Sequence, residues 1–180
     1  MSKLFIYILL LFFINCSSQK QLQKISSREN LSKILSNGFS HTKDRLLVYS
    51  VDDKWYLIIE NSTSVYKAYY LKIEKEGVLK REIDNINKPN LMLDNAFNLS
   101  NYKYGYIDFS SDEYKNYKLA QGNKTYFCLF EKGNYYGEFN LSVIVDPIPI
   151  EKGLNEYLIK KIFKEISIDN KEATPATPNL

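Results

Sequence analysis

Two runs late in the chain constrain its architecture most. Thr125 to Phe130 and Tyr135 to Val145 are rich in β-branched and aromatic residues, and Glu131-Lys132-Gly133-Asn134 separates them. Gly133-Asn134 suits the positive φ of a tight hairpin loop. In the second run Phe139, Leu141, Val143 and Val145 share one face, and Glu138, Asn140 and Ser142 share the other. That alternation predicts a strand with core on one side and water on the other, the pattern of an antiparallel sheet.

The first half extends the sheet. Arg45–Val51 and Trp55–Glu60 read as strands joined by Asp52-Asp53-Lys54, since aspartate side chains bond nearby backbone N–H groups in turns. Val65–Glu74 alternates as a third strand, and Glu76-Gly77 turns it into a short fourth, Val78–Ile83. Short connections make four successive antiparallel strands the simplest arrangement. Asp84 to Asn90 reads as a break, and Leu91–Phe97 fits either a short helix with Pro89 in its first turn or a strand. Tyr102–Phe109 reads as a further strand, and Ser110-Ser111-Asp112-Glu113 as a helix start carrying Tyr114, Tyr117 and Lys118.

Two helices frame these strands. Ser26-Ser27-Arg28-Glu29 fits a capping box ahead of Leu31, Ile34 and Leu35, and Asn37-Gly38 is a stop, which places a helix over about residues 27–37. After Asp146-Pro147-Ile148-Pro149 ends the sheet, Leu154, Tyr157, Leu158, Ile162, Phe163 and Ile166 form an apolar stripe. Asn155, Glu156, Lys160, Lys161 and Lys164 stand opposite. The expected fold is α+β: a mostly antiparallel sheet of six or seven strands, a short N-terminal helix, and an amphipathic helix over about 153–166 packed on the sheet. The domain runs from residue 26 to 168, and residues 169–180 read as a disordered tail.

The N-terminus carries a different message. Lys3 precedes an uncharged apolar run from Leu4 to Ile14, then Asn15 and Cys16. A basic start, a short apolar stretch and a processing site are the layout of a secretory signal, and eleven apolar residues span only about 16 Å of helix. The segment Phe13-Ile14-Asn15-Cys16-Ser17-Ser18 resembles the lipobox of bacterial lipoproteins, most closely the looser lipoboxes of Bacteroidetes-like bacteria. The resemblance implies cleavage before Cys16, acylation of that residue, and a lipid bilayer as partner. Residues 1–15 are then a signal peptide and residues 16–25 a lipidated cysteine and polar tether. By the same resemblance, Ser17 in place of aspartate after the cysteine implies the outer membrane, and the lack of an acidic cluster from Ser17 to Lys24 implies its periplasmic face. The same residues also fit ordinary signal cleavage after Ser18, which would discard Cys16, or an uncleaved apolar N-terminus.

Chemistry is sparse in the remainder. The formal charge of +3 loses one lysine with residues 1–15, and the other lysines are scattered, so no nucleic-acid partner is expected. With Cys16 acylated or removed, Cys128 has no disulfide partner and reads as a small buried apolar residue between Phe127 and Leu129. His41, the sole histidine, lies in a Ser-His-Thr loop with no activated serine nearby in sequence. One histidine and one domain cysteine do not make a zinc site, and no cofactor is expected. Asp52-Asp53 and Asp112-Glu113 lack calcium-loop spacing and read as turn and helix-start residues.

Fifteen tyrosines are the unusual feature. Tyr102, Tyr104 and Tyr106 fall on one face of the expected strand, and Tyr135-Tyr136 sit at the hairpin tip. Such rings could bind a protein or a sugar, but β-propensity favours the plainer reading that they suit a half-buried sheet surface. The resulting expectation is a membrane-anchored envelope lipoprotein whose domain is a non-enzymatic binding or inhibitor/immunity-type module for an envelope protein or glycan. The alternatives are a small envelope hydrolase using carboxylates from distant parts of the chain and a carbohydrate-binding module.

Overall fold

The computed structural model describes residues 28–36, 39, 45–109, 114, 118–146 and 148–172. The signal segment, Cys16, the tether, Ser26-Ser27, Asn37-Gly38, His41, Ser110–Glu113, Tyr117, Pro147 and residues 173–180 lie outside the described residues. Helix α1 covers residues 28–36. The strands are β1 (Arg45–Val51), β2 (Trp55–Asn61), β3 (Val65–Glu74), β4 (Gly77–Asn87), β5 (Lys118–Glu131) and β6 (Asn134–Asp146). Helices α2 (Leu91–Ala96) and α3 (Lys152–Glu172) complete the α+β fold.

The six strands form one antiparallel sheet in the order β4-β3-β2-β1-β5-β6. The first four are a meander, and the hairpin of β5 and β6 then adds to the free side of β1. Both faces are covered. Leu47, Tyr49, Leu57, Ile59, Phe127 and Phe139 meet Leu93 of α2 and Leu154, Leu158 and Ile162 of α3. Leu46, Val48, Tyr56, Ile58 and Cys128 meet Leu31, Ile34 and Leu35 of α1 on the other side. Burial on both faces explains why Leu46-Leu47-Val48-Tyr49 is a continuous apolar run rather than an alternating one.

Two hairpin turns have positive φ at both central residues: Asp52 (54°) and Asp53 (51°), then Lys132 (48°) and Gly133 (83°). This geometry matches the right-handed strand twist. The second turn therefore uses Lys132-Gly133 rather than Gly133-Asn134, and Asn134 already belongs to β6.

Several boundaries depart from expectation. The Asp84–Asn90 break begins later, because β4 continues to Asn87 and Ile83 and Ile86 pack on the α2–α3 side. Its polar composition reflects an edge strand, where charged side chains discourage pairing with another chain. Pro89 lies one residue ahead of the helix cap Asn90 rather than in the first turn. Tyr102–Phe109 is not a strand; it makes two isolated bridges, Tyr104 to Tyr136 and Tyr106 to Glu138. Gly105, at φ +84°, interrupts the two-residue alternation there.

Helix α3 reaches Glu172, so residues 169–172 are helix rather than tail. The reason lies in a ladder of ion pairs at four-residue intervals. Lys161 meets Asp84 at 2.6 Å, Glu165 meets Arg81 at 2.9 Å, and Asp169 meets Lys72 at 2.9 Å. Lys161 thus faces inward, and Phe163 of the expected apolar stripe is 43% exposed. The hydrogen bond from Lys161 holds the Asp84 carboxyl below its ordinary value. A depressed folded-state pKa contributes stability that is full above the unfolded value and lost as pH falls through the folded one. Urea midpoints of the native chain and of Asp84→Asn should therefore converge as pH is lowered below about 4. With Asp84 43% exposed, the gap at neutral pH should be no more than about 1 kcal/mol.

Candidate functional site

A short polar-capped segment after β4 builds one side of a concavity. The Asn90 side chain accepts from the Leu93 N–H at 3.0 Å, and Asp94 accepts from the Asn90 N–H at 2.9 Å. This reciprocal cap lets a six-residue helix persist, since it satisfies donors the helix cannot. Tyr66 of β3 donates its hydroxyl to Asp94, and Phe97 stacks on the Tyr66 ring at 5.3 Å. Asn98 then caps the single 3₁₀ turn Leu99–Asn101 through the Ser100 N–H at 3.2 Å.

Between this segment and the start of α3 lies a cleft of about 630 Å³. Its floor is apolar, from Ala96, Ile150 and Leu154, and its rim carries Asn95, Asn101 and Glu151. Leu91, 79% exposed, and Met92 stand at the mouth. Glu151 is committed to the helix: its carboxylate accepts the Gly153 and Leu154 N–H groups at 2.9 and 2.8 Å, which lowers its pKa. Tyr102 closes one wall, its phenol pushed up to about 12 by burial and by the nearby Glu151 charge.

The five tyrosines singled out from sequence do not form one line. Tyr102 packs inward, its ring 5.8 Å from Phe127. Tyr104 is 73% exposed and meets the Tyr136 ring edge-on at 5.5 Å. Burial raises the Tyr106 phenol, with Asp108 and Glu138 adding to it. Tyr135 belongs to the opposite face of the sheet, beneath the Arg28 guanidinium at 4.5 Å. The structure thus joins Tyr104 to Tyr136, sends Tyr102 to the cleft and separates Tyr135 from both.

A bulge explains the split. Phe127 opposes Phe139 and Leu129 opposes Tyr136, so β6 holds one residue more than β5 in that interval. Gly137, in the left-handed region at φ +57°, takes up the extra residue. Residues 103–107 run along this edge, with Gly137 donating to the Lys103 carbonyl at 2.7 Å and Ile107 to the Glu138 carbonyl at 2.7 Å. A Cβ on Gly137 would lie 2.6 Å from Tyr102 Cδ1.

The expectation that Glu138 and Asn140 face water is corrected: Glu138 is fully buried and Asn140 nearly so. Glu138 accepts from Arg28 Nε at 2.9 Å and Nη2 at 2.6 Å, and from the Tyr126 hydroxyl at 3.1 Å. The two-pronged geometry is the strong form of a charge-assisted pair, and it holds the Arg28 pKa above its ordinary value. Neither residue was singled out from sequence as a pair. The readable signal was a second amphipathic helix, α1, which needs a second sheet face to cover.

Cys128 is buried, as expected, and burial pushes its thiol well above the ordinary value, which disfavours the reactive thiolate. Asp52 and Asp53 sit in the β1–β2 turn, but their side chains tie it to β5 rather than to neighbouring backbone: Asp52 accepts the Lys124 N–H at 3.0 Å and Asp53 pairs with the Lys124 ammonium. Among the described residues no three histidine, cysteine or acidic side chains converge as a metal site, and no helix is long and apolar enough to cross a membrane. Set against protein-family models, curated proteins and solved structures, the chain finds no match.

Proposed function

We propose that this chain is an envelope lipoprotein, anchored through acylated Cys16 at the periplasmic face of the outer membrane, whose domain binds a protein partner at the α2–α3 cleft without catalysing a reaction. The anchoring half rests on the Lys3-to-Cys16 segment and its lipobox resemblance. The binding half is carried by Leu91. A single exposed leucine is ordinary on a protein surface. This one stands with Met92 at the mouth of an apolar-floored concavity rimmed by amides and a carboxylate. Apolar anchors inside a polar rim are the anatomy of a recognition site.

The mass of the mature N-terminal peptide from native membranes tests the anchor: acylated Cys16 supports it, and a free N-terminus at Gln19 overturns it. The cleft is tested separately, with a photoreactive residue at Asn95 in the native envelope and a control at Lys75 in the exposed β3–β4 turn. A discrete cross-linked protein is expected at Asn95 only. Leu91→Asp should reduce its yield about tenfold, the effect of losing one buried leucine. No discrete species, or the same species from Lys75, would rule out the cleft as the partner site.

A further inference from the structure

The ladder that fixes α3 also sorts its charges. Between residues 159 and 171 both described acids turn inward, Glu165 to Arg81 and Asp169 to Lys72. Lys160, Lys164 and Lys171 point outward and are exposed. Beside them Ile159 and Phe163, one helical turn apart, are 37% and 43% exposed. In the first half of the helix the exposed Glu156 lies 3.9 Å from Lys152, so that end is locally balanced. The second half therefore presents a face that is positively charged and partly apolar. Lysines flanking exposed aromatic and aliphatic side chains are the composition of a helix lying at a bilayer surface.

We propose that the outward face of α3 between residues 159 and 171 rests on a bilayer surface bearing anionic headgroups. The choice of occupant rests on the anchored reading above. Twelve residues from Cys16 to Arg28 reach at most about 40 Å, more than the thickness of a sheet with a helix layer on each side. The anchor therefore holds the domain within reach of the surface in this orientation. Charge complementarity selects the lipid: each lysine close to an anionic surface strengthens binding about fivefold, and apolar side chains add to it. Because the contact lies toward the C-terminal end of a helix about 30 Å long, the cleft at its N-terminal end remains beside the bilayer rather than under it.

The full chain carrying Ser167→Cys, labelled with an environment-sensitive fluorophore, is mixed with vesicles of phosphatidylcholine alone or with added phosphatidylglycerol. Ser167 is exposed on the same side of the helix. A blue shift is expected with the anionic vesicles only, none from a label at Lys75→Cys, and K160A/K164A should raise the anionic lipid required about 25-fold. The same shift with neutral lipid, no shift, or a shift that survives K160A/K164A would overturn the proposal. Flotation on neutral vesicles reports the acyl anchor independently. A chain that floats without the anionic shift keeps its anchor and loses the α3 contact. A chain that fails to float has lost the anchored reading, and the label on anionic vesicles still decides the α3 face.

Discussion

Arg28→Ala should lower the stability of the domain by about 3 kcal/mol, read as a fall in the urea midpoint with the slope unchanged. The substitution leaves Glu138 fully buried, with Tyr126 as its remaining hydrogen-bond partner. An uncompensated buried charge is the costly outcome, more than the loss of the attraction itself. The figure belongs at the lower end of the range for broken buried pairs because Arg28 is 38% exposed and water can enter as the guanidinium leaves. Loss of α1 amide protection under native conditions should accompany the change, since Arg28 ties that helix to β6. The double variant Arg28→Met with Glu138→Leu should recover most of the loss, because two apolar side chains leave no buried charge behind. A single-variant effect below about 1 kcal/mol would show that the carboxylate finds other solvation and that the pair does not hold α1.

Gly137→Ala should cost a comparable amount, about 3 kcal/mol, from two sources. The backbone stands at φ +57°, where an L side chain is strained. The new Cβ would also overlap Tyr102 Cδ1. The overlap makes the prediction specific. In a Tyr102→Ala background the same glycine change should cost measurably less, since only the backbone strain remains, whereas independent effects would simply add. Tyr102 also walls the cleft, so Gly137→Ala should disturb cross-linking from Asn95 while Leu91→Asp leaves stability nearly unchanged. Additive behaviour of Gly137→Ala and Tyr102→Ala would mean that the edge segment yields without moving the ring.

Where one periodicity dominated, the chain was readable. The β1–β2 turn, the third strand, the late hairpin and the apolar spacing of α1 all follow from local residues. Parity within β6 puts Phe139 and Leu141 together on a core face, yet leaves the surroundings of Glu138 and Asn140 open. Alternation says which side chains share a face and nothing about what covers it. Leu46-Leu47-Val48-Tyr49 carried the missing clue, because an unbroken apolar run implies cover on both sides. The tyrosines failed as a line for a different reason: positive-φ Gly105 and the extra residue at Gly137 each shift the phase, and neither shift shows in a hydrophobic pattern. The inward Lys161 and outward Phe163 were equally hidden, since their placement is set by Asp84 and by the width of the sheet beneath them. The cleft joins Leu91–Tyr102 to Pro149–Leu154, segments that only the completed fold brings side by side.

The strand order has a consequence for how the molecule assembles in time. β1 lies in the middle of the finished sheet, yet its pairing with β5 joins Leu46 to Phe130 and Val51 to Thr125, more than seventy positions further along the chain. The β1–β4 meander needs only tight turns and can zip quickly, whereas closing the long loop to β5 is the slow entropic step. In the interval β1 is an open edge of Leu-Leu-Val-Tyr, the kind of exposed strand that recruits a neighbouring chain. Refolding should therefore slow and lose yield as protein concentration rises. A peptide of the β5 sequence supplied in trans should compete for that edge before the hairpin of β5 and β6 arrives to close it.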